Sequence, residues 1–186
     1  MYMNKYYEKI DYQLLNKKTA YKGKRLEVEE LNYKNPRTNQ TIYREHVLAG
    51  NAVVIIPETD NKEFIMIKEP RTPIGKTVLA FPAGMIEKGE QEEESAIREL
   101  EEETGYRAGK IKKIRDVYTA IGYSNEKVTI FLAKDLVKTH NHLDETEDIE
   151  VLKIPKKEVR KMLDNNEIKT SSEEIGLLHY FLYEDK

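Results

Sequence analysis

The segment that most constrains the fold of this chain is a run of glutamates bounded by glycines. Nine glutamates fall within residues 87–103, and Gly105 follows shortly after. Apolar residues recur inside this run at helical spacing and place Ala96 and Leu100 on one face. The pattern predicts a helix over residues 92–104 that Gly105 ends in the left-handed conformation. Such a helix must bury an apolar stripe while its carboxylates repel one another.

Two of these glutamates, Glu99 and Glu103, are four residues apart and therefore share one face of the helix, with Glu102 beside them. Like charges at this spacing destabilise a bare helix by roughly 0.2–0.5 kcal/mol, and by more where solvent screening is weaker. A bound divalent cation removes this penalty. Oxygen ligands without cysteine or clustered histidine favour Mg²⁺ or Mn²⁺. A hydrated, highly charged helix face is the alternative that the charge run also allows.

The remaining pattern consists of short apolar runs separated by turn residues. Two alternating runs within residues 21–48 predict a β-hairpin lobe, preceded by a weakly patterned arm over residues 1–20. Further strands are predicted at 52–56, 64–67, 78–81, 111–119, 128–133 and 149–154. With one helix in mid-chain and two at the end, the order predicts an α+β fold, an α/β/α sandwich around a mixed sheet. We expect residues 1–48 to form the arm and lobe, and residues 49–186 the main domain.

The two terminal helices have separate start signals. Pro155 suits the first turn of a helix that carries Val159. Ser171 and Glu174 stand at capping-box spacing and predict the start of the last helix. The apolar residues that this last helix is expected to bury are Leu177, Leu178, Phe181 and Leu182.

Composition excludes several functional classes. The formal charge of −3, from 31 basic and 34 acidic residues, implies no general attraction to nucleic acid or to anionic membranes. The absence of cysteine excludes disulfides, thiolate metal sites and a cysteine nucleophile. The longest apolar runs are strand-sized, far short of the ~20 residues that a membrane span needs. No apolar signal region follows Met1, so we expect a cytoplasmic protein without nucleic-acid or membrane partners.

The spacing of charged residues and glycines around the acidic helix resembles a known motif. Gly84 is followed after five residues by Glu90, and after seven more by the run Arg98-Glu-Leu-Glu-Glu-Glu-Thr-Gly-Tyr106. This arrangement is similar to the Nudix box at every charged and glycine position, and only Tyr106 stands where a smaller aliphatic residue is usual. A pattern with this many specified positions is far more specific than a lone glycine motif.

The resemblance implies the Nudix fold and hydrolysis of a nucleoside diphosphate linked to another group. By position in the motif, Glu99, Glu102 and Glu103 are expected at the metal ions. Arg98 is expected to orient the glutamates by pairing with Glu90, which has a mainly structural role. Splitting a diphosphate requires its charge to be neutralised and a hydroxide-like nucleophile to be generated, and clustered Mg²⁺ ions can do both.

Flanking segments resemble the ADP-ribose pyrophosphatase branch of this family. The run from Arg71 through Pro82-Ala83-Gly84 is similar to that branch's approach to the box, and residues 143–149 are similar to its acidic loop. Two positions depart from the branch pattern. Ile121 replaces a usual proline, and Ala80 replaces a common glutamate, so the substrate within the nucleotide-sugar class stays open.

The branch resemblance implies further site residues and a homodimer. The Ala83 carbonyl and Glu147 are implied as metal ligands, together with Glu99 and Glu103. Glu145 is implied as the general base, which makes the catalytic set Glu145, Glu102 and Arg98. Arg44, Glu45 and Arg71 are implied as substrate-binding residues, and Arg44 is a candidate to serve the partner's site. The open alternatives are a solvated acidic loop, a surface charge at Arg71, and a cross-strand ion pair at Arg44 and Glu45.

The resulting functional hypothesis is Mg²⁺-dependent hydrolysis of ADP-ribose to AMP and ribose 5-phosphate, with Mn²⁺ as a possible replacement. A related enzyme for another nucleoside-diphosphate sugar or dinucleotide is the main alternative. A sensor that binds ADP-ribose without cleaving it is the alternative outside the enzyme class, and the complete set of box carboxylates argues against it.

Overall fold

The structure is a computed structural model that describes residues 9–140 and 148–185. Its strands are β1 (Gln13–Lys22), β2 (Leu26–Lys34), β3 (Thr41–Ala49), β4 (Ala52–Pro57), β5 (Glu63–Arg71), β6 (Lys76–Ala80), β7 (Ala83–Met85), β8 (Tyr106–Tyr118), β9 (Lys127–Lys138) and β10 (Glu150–Pro155). Its α-helices are α1 (Glu92–Thr104), α2 (Lys156–Asp164) and α3 (Ser171–His179). A 3₁₀ turn spans Thr72–Ile74, and a π-helical turn spans Tyr180–Glu184.

The described residues fall into two compact units. The smaller unit contains the chain up to Gly50 together with Ala120–Glu126. Its strands form an antiparallel sheet in the order β1-β2-β3. Within the predicted arm of residues 1–20, the chain from Gln13 onward forms a strand that was not predicted, β1, which pairs along its length with β2. The single-sequence pattern missed this strand because all ten of its residues are exposed, so no alternation of apolar and polar residues marks it.

The larger unit begins at Asn51 and contains two sheets. One is four-stranded in the order β7-β4-β9-β8, and the other is three-stranded in the order β10-β5-β6. The four-stranded sheet is mixed, because β4 runs parallel to β9 and the other pairs are antiparallel. The predicted mixed sheet is therefore confirmed.

Both faces of β4 are buried, which explains its continuous apolar sequence. Val53 and Ile55 pack with Ala96 and Leu100 of α1 on one face. The opposite face of β4 contributes to a second core, which contains Val54, Ile56, Phe64, Leu177 and Tyr180 among others. The four-stranded sheet thus lies between α1 on one side and α3 with the second sheet on the other, as expected for an α/β/α arrangement.

Helix α1 has the predicted bounds. At its start, the Glu94 carboxylate accepts a hydrogen bond from the Gln91 amide at 3.1 Å. At its end, Gly105 adopts φ 66° and ψ 32°, and its amide donates to the Glu101 carbonyl. Three glutamates in the first turn face the positive end of the helix dipole, which offsets part of their mutual repulsion.

The start of α3 differs from the prediction. Its N-cap is Thr170, and the glutamate that turns inward is Glu173 instead of Glu174. Leu177 is buried as expected, but Leu178 and Leu182 are 45% and 70% exposed. The chain continues after His179 into a π-helical turn, in which Tyr180 is the buried residue. Among the described residues, no helix is long and apolar enough to span a membrane.

Candidate active site

The centre of the site is the close approach of α1 to β7. A Cβ atom added to Gly84 would lie 2.0 Å from the Glu99 carboxyl carbon and 2.1 Å from its Oε1. Real Cβ contacts do not reach such distances, so only glycine allows the Glu99 carboxylate to rest on this strand. The first glycine of the sequence motif is therefore explained by the space that a carboxylate needs.

Arg98 connects the carboxylates of the motif. Its Nε and Nη2 donate to the two oxygens of Glu90 at 2.8 and 3.0 Å, a bidentate pair. Its Nη1 donates to Glu99 Oε1 at 2.8 Å and to Glu102 Oε2 at 2.9 Å. Nη2 also donates to the Met85 carbonyl at 3.2 Å. The predicted pairing of Arg98 with Glu90 is observed, and the same guanidinium reaches two further glutamates.

The ion pairs shift the ionisation of this cluster. Hydrogen bonding from Arg98 lowers the pKa of Glu90 to about 2. Hydrogen bonding to Glu90 in turn raises the pKa of Arg98 above its ordinary value. Both groups are therefore ionised throughout the neutral range. This fixed charge pattern suits a site that must attract positive ions and a reacting phosphate together.

Whereas the Glu102 side chain is partly exposed, Glu103 is buried. It is 6% exposed, and its Oε2 accepts a hydrogen bond from the Ala83 amide at 3.0 Å. The Ala83 backbone and the carboxylates of Glu99 and Glu103 are consequently brought together at one end of β7. This is the grouping that the sequence predicted for the metal site, apart from Glu147.

The donors of this site are the oxygen atoms that a hard divalent cation prefers. Across residues 9–140 and 148–185, no three acidic or histidine side chains form a ready-made metal centre. Mg²⁺, however, commonly keeps several water ligands and uses one or two carboxylates together with substrate phosphates. The buried Glu103 and the Glu99 carboxylate held against Gly84 provide oxygen donors of this kind. The residues present fit a hard divalent cation.

A groove of about 470 Å³ runs along the outer side of α1. This volume is in the range of small-molecule sites. Because the groove contains Arg98 and Glu102, it adjoins the carboxylate cluster directly. Its lining residues are Glu94, Ile97, Arg98, Glu101, Glu102 and Arg107.

The other predicted site residues have local contacts of their own. Arg71 lies at the end of β5 and forms an ion pair with Glu69. Arg44 and Glu45 belong to β3 of the smaller unit, where Arg44 donates to the Tyr43 carbonyl at 2.8 Å and Glu45 accepts from the Tyr43 hydroxyl at 3.3 Å. These contacts replace the Arg44–Glu45 ion pair that was considered as an alternative. Glu145 and Glu147 lie outside the described residues.

A buried acidic residue beside this site, Glu173, was not predicted from the sequence. Glu173 is 3% exposed and accepts a hydrogen bond from the Phe81 amide at 3.0 Å, only two residues before Ala83. Burial raises the pKa of Glu173 to about 7. The local pattern at the start of α3 carried no signal for this contact, because Phe81 and Glu173 are 92 residues apart.

Comparison with known proteins agrees with this fold and site. The chain is similar in fold to the crystal structure of an ADP compounds hydrolase, with a TM-score of 0.83 and 24% sequence identity over 92% of this chain and 93% of that one. The likeness shows the Nudix architecture. The family model of the NUDIX domain matches residues 48–174, and the chain therefore belongs to the Nudix family. It is a Nudix pyrophosphohydrolase, as the resemblance implied.

Two relatives are similar over most of their length. An ADP-ribose pyrophosphatase of Bacillus subtilis (strain 168) is 36% identical over 163 residues, which cover 86% of each chain. A methanol dehydrogenase activator of Bacillus methanolicus is 31% identical over 162 residues, again 86% of each chain. The predicted relation to the ADP-ribose pyrophosphatases is confirmed by the first of these.

Proposed function

We propose that this enzyme hydrolyses ADP-ribose to AMP and ribose 5-phosphate in a reaction that depends on a divalent cation. The observation that carries the proposal is the Arg98-centred carboxylate cluster, which α1 holds against Gly84 and which contains Glu99 and Glu102. The choice of ADP-ribose is supported by the 36% identical relative from Bacillus subtilis, which is an ADP-ribose pyrophosphatase.

The proposed ligands of the cation come from β7 and α1 and, by resemblance to the family, from Glu147. Glu99, Glu103 and the Ala83 carbonyl would hold the cation, with Glu147 as a further ligand. When bound, Mg²⁺ or Mn²⁺ neutralises the charge of the diphosphate and lowers the pKa of water. These residues form an oxygen-only set, which is the type that hard cations prefer.

The remaining residues are proposed to position the carboxylates and to accept a proton from the attacking water. Arg98 fixes the Glu99 and Glu102 carboxylates through its Nη1 atom, so their oxygens do not have to be ordered when substrate binds. Glu145 is proposed as the general base, whose carboxylate accepts a proton from the attacking water. Glu102 is 40% exposed at its side chain and borders the groove along α1, where it can contact the reacting groups.

Substrate binding is proposed for Arg71, Arg44 and Glu45, which offer charges for the phosphates and hydrogen bonds for the ribose hydroxyls. We further propose a homodimer in which Arg44 of one subunit serves the other subunit's site. Sedimentation analysis should then give twice the chain mass of 21.8 kDa, whereas a single-chain mass would refute the shared site. The cytoplasmic location expected from the sequence stays a prediction.

A substrate comparison tests the activity. The purified enzyme is assayed with ADP-ribose, ADP-glucose, GDP-mannose and NADH in Mg²⁺ or Mn²⁺, and products are separated by ion-exchange chromatography. We expect the highest kcat/KM for ADP-ribose, with AMP and ribose 5-phosphate as products and no turnover in excess EDTA. A higher value for another compound would replace ADP-ribose as the substrate.

Two variants separate catalysis from binding. Glu103→Gln should lose several kcal/mol of transition-state stabilisation, at about 1.4 kcal/mol per tenfold in rate, while its thermal unfolding stays cooperative. Glu174→Gln removes a carboxylate from the exposed face of α3 and serves as the matched control. Tight ADP-ribose binding without any product from the wild-type enzyme would favour the sensor hypothesis.

A further inference from the structure

The chain passes between the two sheets of the larger unit through only two residues, Phe81 and Pro82, which link β6 to Ala83, the first residue of β7. Before the crossing, Ala80 pairs with Ile67 in the antiparallel sheet. Within it, the Pro82 carbonyl accepts a hydrogen bond from the Ile55 amide of the mixed sheet at 2.9 Å. The crossing therefore sets how β7, with Ala83 and Gly84, is presented to α1.

Two backbone amides lie at this crossing, those of Phe81 and Ala83, because Pro82 between them has no N–H. The Ala83 amide donates to Glu103 of α1, and the Phe81 amide donates to Glu173 of α3, each at 3.0 Å. Both carboxylates are buried, at 6% and 3% exposure. Helices on opposite faces of the mixed sheet thus hold the two ends of one short segment.

Glu173 is an unusual choice for a purely structural acceptor. Its Oε2 is buried and has no hydrogen-bond partner of normal geometry within the described part of the chain, although the Thr170 side chain and the Arg71 charge lie near enough to offset part of the effect of burial on the pKa of this carboxyl. Burial of a carboxylate whose second oxygen is not satisfied is unfavourable. Buried polar groups of this kind call for a reason beyond packing. The candidate metal site provides such a reason, because Phe81, to which Glu173 is hydrogen-bonded, is only two residues from Ala83.

We propose that Glu173 is a positioning residue for the hydrolytic reaction, which holds the Phe81 amide and thereby sets Ala83 and Gly84 against the carboxylates of Glu99 and Glu103. The inference rests on the proposed function in one respect, the placement of the cation at Ala83, Glu99 and Glu103. Groups that act through a ligand in this way commonly change metal affinity or activity by roughly 10- to 100-fold when they are replaced.

Two replacements of nearly equal shape isolate the hydrogen bond. Glu173→Gln keeps the Oε1 acceptor for the Phe81 amide, whereas Glu173→Met fills the same space without it. We expect Glu173→Met to lower kcat by roughly 10- to 100-fold with little change in KM, and Glu173→Gln to retain most of kcat. Glu174→Met, on the exposed face of the same helix, is the control and should match the wild type.

A second readout does not depend on turnover. Amide hydrogen exchange at Phe81 and Ala83, without substrate, should be faster in Glu173→Met than in the wild type and nearly normal in Glu173→Gln. The affinity for Mn²⁺ alone, measured by calorimetry, should fall in Glu173→Met only. If the wild type cleaves a nucleotide other than ADP-ribose, the substrate proposal fails, and the same comparison is made with that nucleotide.

A stability control decides against a merely structural role. Leu177→Val weakens the packing of α3 on the sheet but removes no hydrogen-bonding group, since Leu177 contributes only apolar atoms to the core that it shares with Phe81. If this variant loses as much melting temperature as Glu173→Met but keeps its kcat, the positioning role is supported. If the two variants lose kcat equally, or if Glu173→Met keeps normal kcat and exchange, the proposal is overturned.

Discussion

At the scale of single residues, Arg98 changes the electrostatic argument about α1. The charge pattern of the sequence predicts that bound cations make the adjacent glutamates tolerable. The structure shows that one guanidinium donates to Glu90, Glu99 and Glu102 within 3.0 Å. The chain therefore supplies part of the compensating charge itself. Glu103 is stabilised differently, by the Ala83 amide at its Oε2.

The contact between Gly84 and Glu99 gives a prediction at this scale. Gly84→Ala places a methyl group where the Glu99 carboxylate now lies, and the carboxylate must move away from both β7 and Arg98. We expect kcat to fall by about 100-fold, the size of effect that a displacement of about 1 Å can have, with cooperative unfolding retained. Gly122→Ala, where the added methyl group has open space, is the control for thermal stability. Normal kcat in Gly84→Ala would show that Glu99 does not act from this position.

At the scale of secondary-structure elements, close packing of α3 on the mixed sheet limits which residues the helix can carry. A Cβ atom at Gly176 would lie 2.8 Å from Ile56 Cδ1 of β4 and 3.0 Å from Ile130 Cγ2 of β9. The glycine therefore permits a short distance between helix and sheet. The same short distance brings Glu173, one turn earlier, to the Phe81 amide.

Replacement of Gly176 tests this packing. Alanine would gain up to about 1 kcal/mol of helix propensity, but overpacking of a dense core costs roughly 1–3 kcal/mol. Because the contact is shorter than real Cβ contacts, we expect Gly176→Ala to lower the free energy of unfolding in urea. In an Ile56→Val background, which lacks the Cδ1 atom, the same change should be close to neutral. Equal losses in both backgrounds would contradict the packing explanation.

At the scale of the whole molecule, buried and paired carboxylates set opposite pH dependences. Glu90 has a pKa lowered to about 2, chiefly by Arg98, and Glu92 one lowered to about 2 by Lys113 and Lys127. Their contribution to stability is present above the ordinary value of 4.5 and is lost as the pH falls toward 2. Burial raises the pKa of Glu173 to about 7, so its contribution is present below 4.5 and is lost as the pH rises toward 7.

These shifts predict that the free energy of unfolding is highest near a pH of about 5 and declines on both sides. Urea unfolding at a series of pH values between about 3 and about 8 measures this dependence. Glu173→Gln should reduce the decline on the alkaline side, and Lys113→Met should reduce the stability retained on the acid side. A wild-type stability that continues to rise from slightly acidic to slightly basic pH would refute the ionisation assigned to Glu173.

Local information in the sequence was sufficient for the parts of the fold that depend on near neighbours. The period of the apolar residues and Gly105 located α1, and the continuous apolar run identified β4 as a buried strand. The pairing of Arg98 with Glu90 was implied by the resemblance to the Nudix box, and the structure contains it. The helix and the strand depend on residues a few positions apart, whose geometry the backbone of each element largely determines.

Contacts between distant segments were decided only by the tertiary structure. The fully exposed β1 has no alternating pattern, so its strand depends on pairing with β2. Glu173 is adjacent to the site because α3 packs closely on the sheet at Gly176, and no local pattern encodes that distance. The amino-acid sequence by itself thus determined the helix that carries the carboxylates of the motif. The packing of α1 and α3 on one sheet decided which backbone amides Glu103 and Glu173 bind, because a buried amide needs a hydrogen-bond partner.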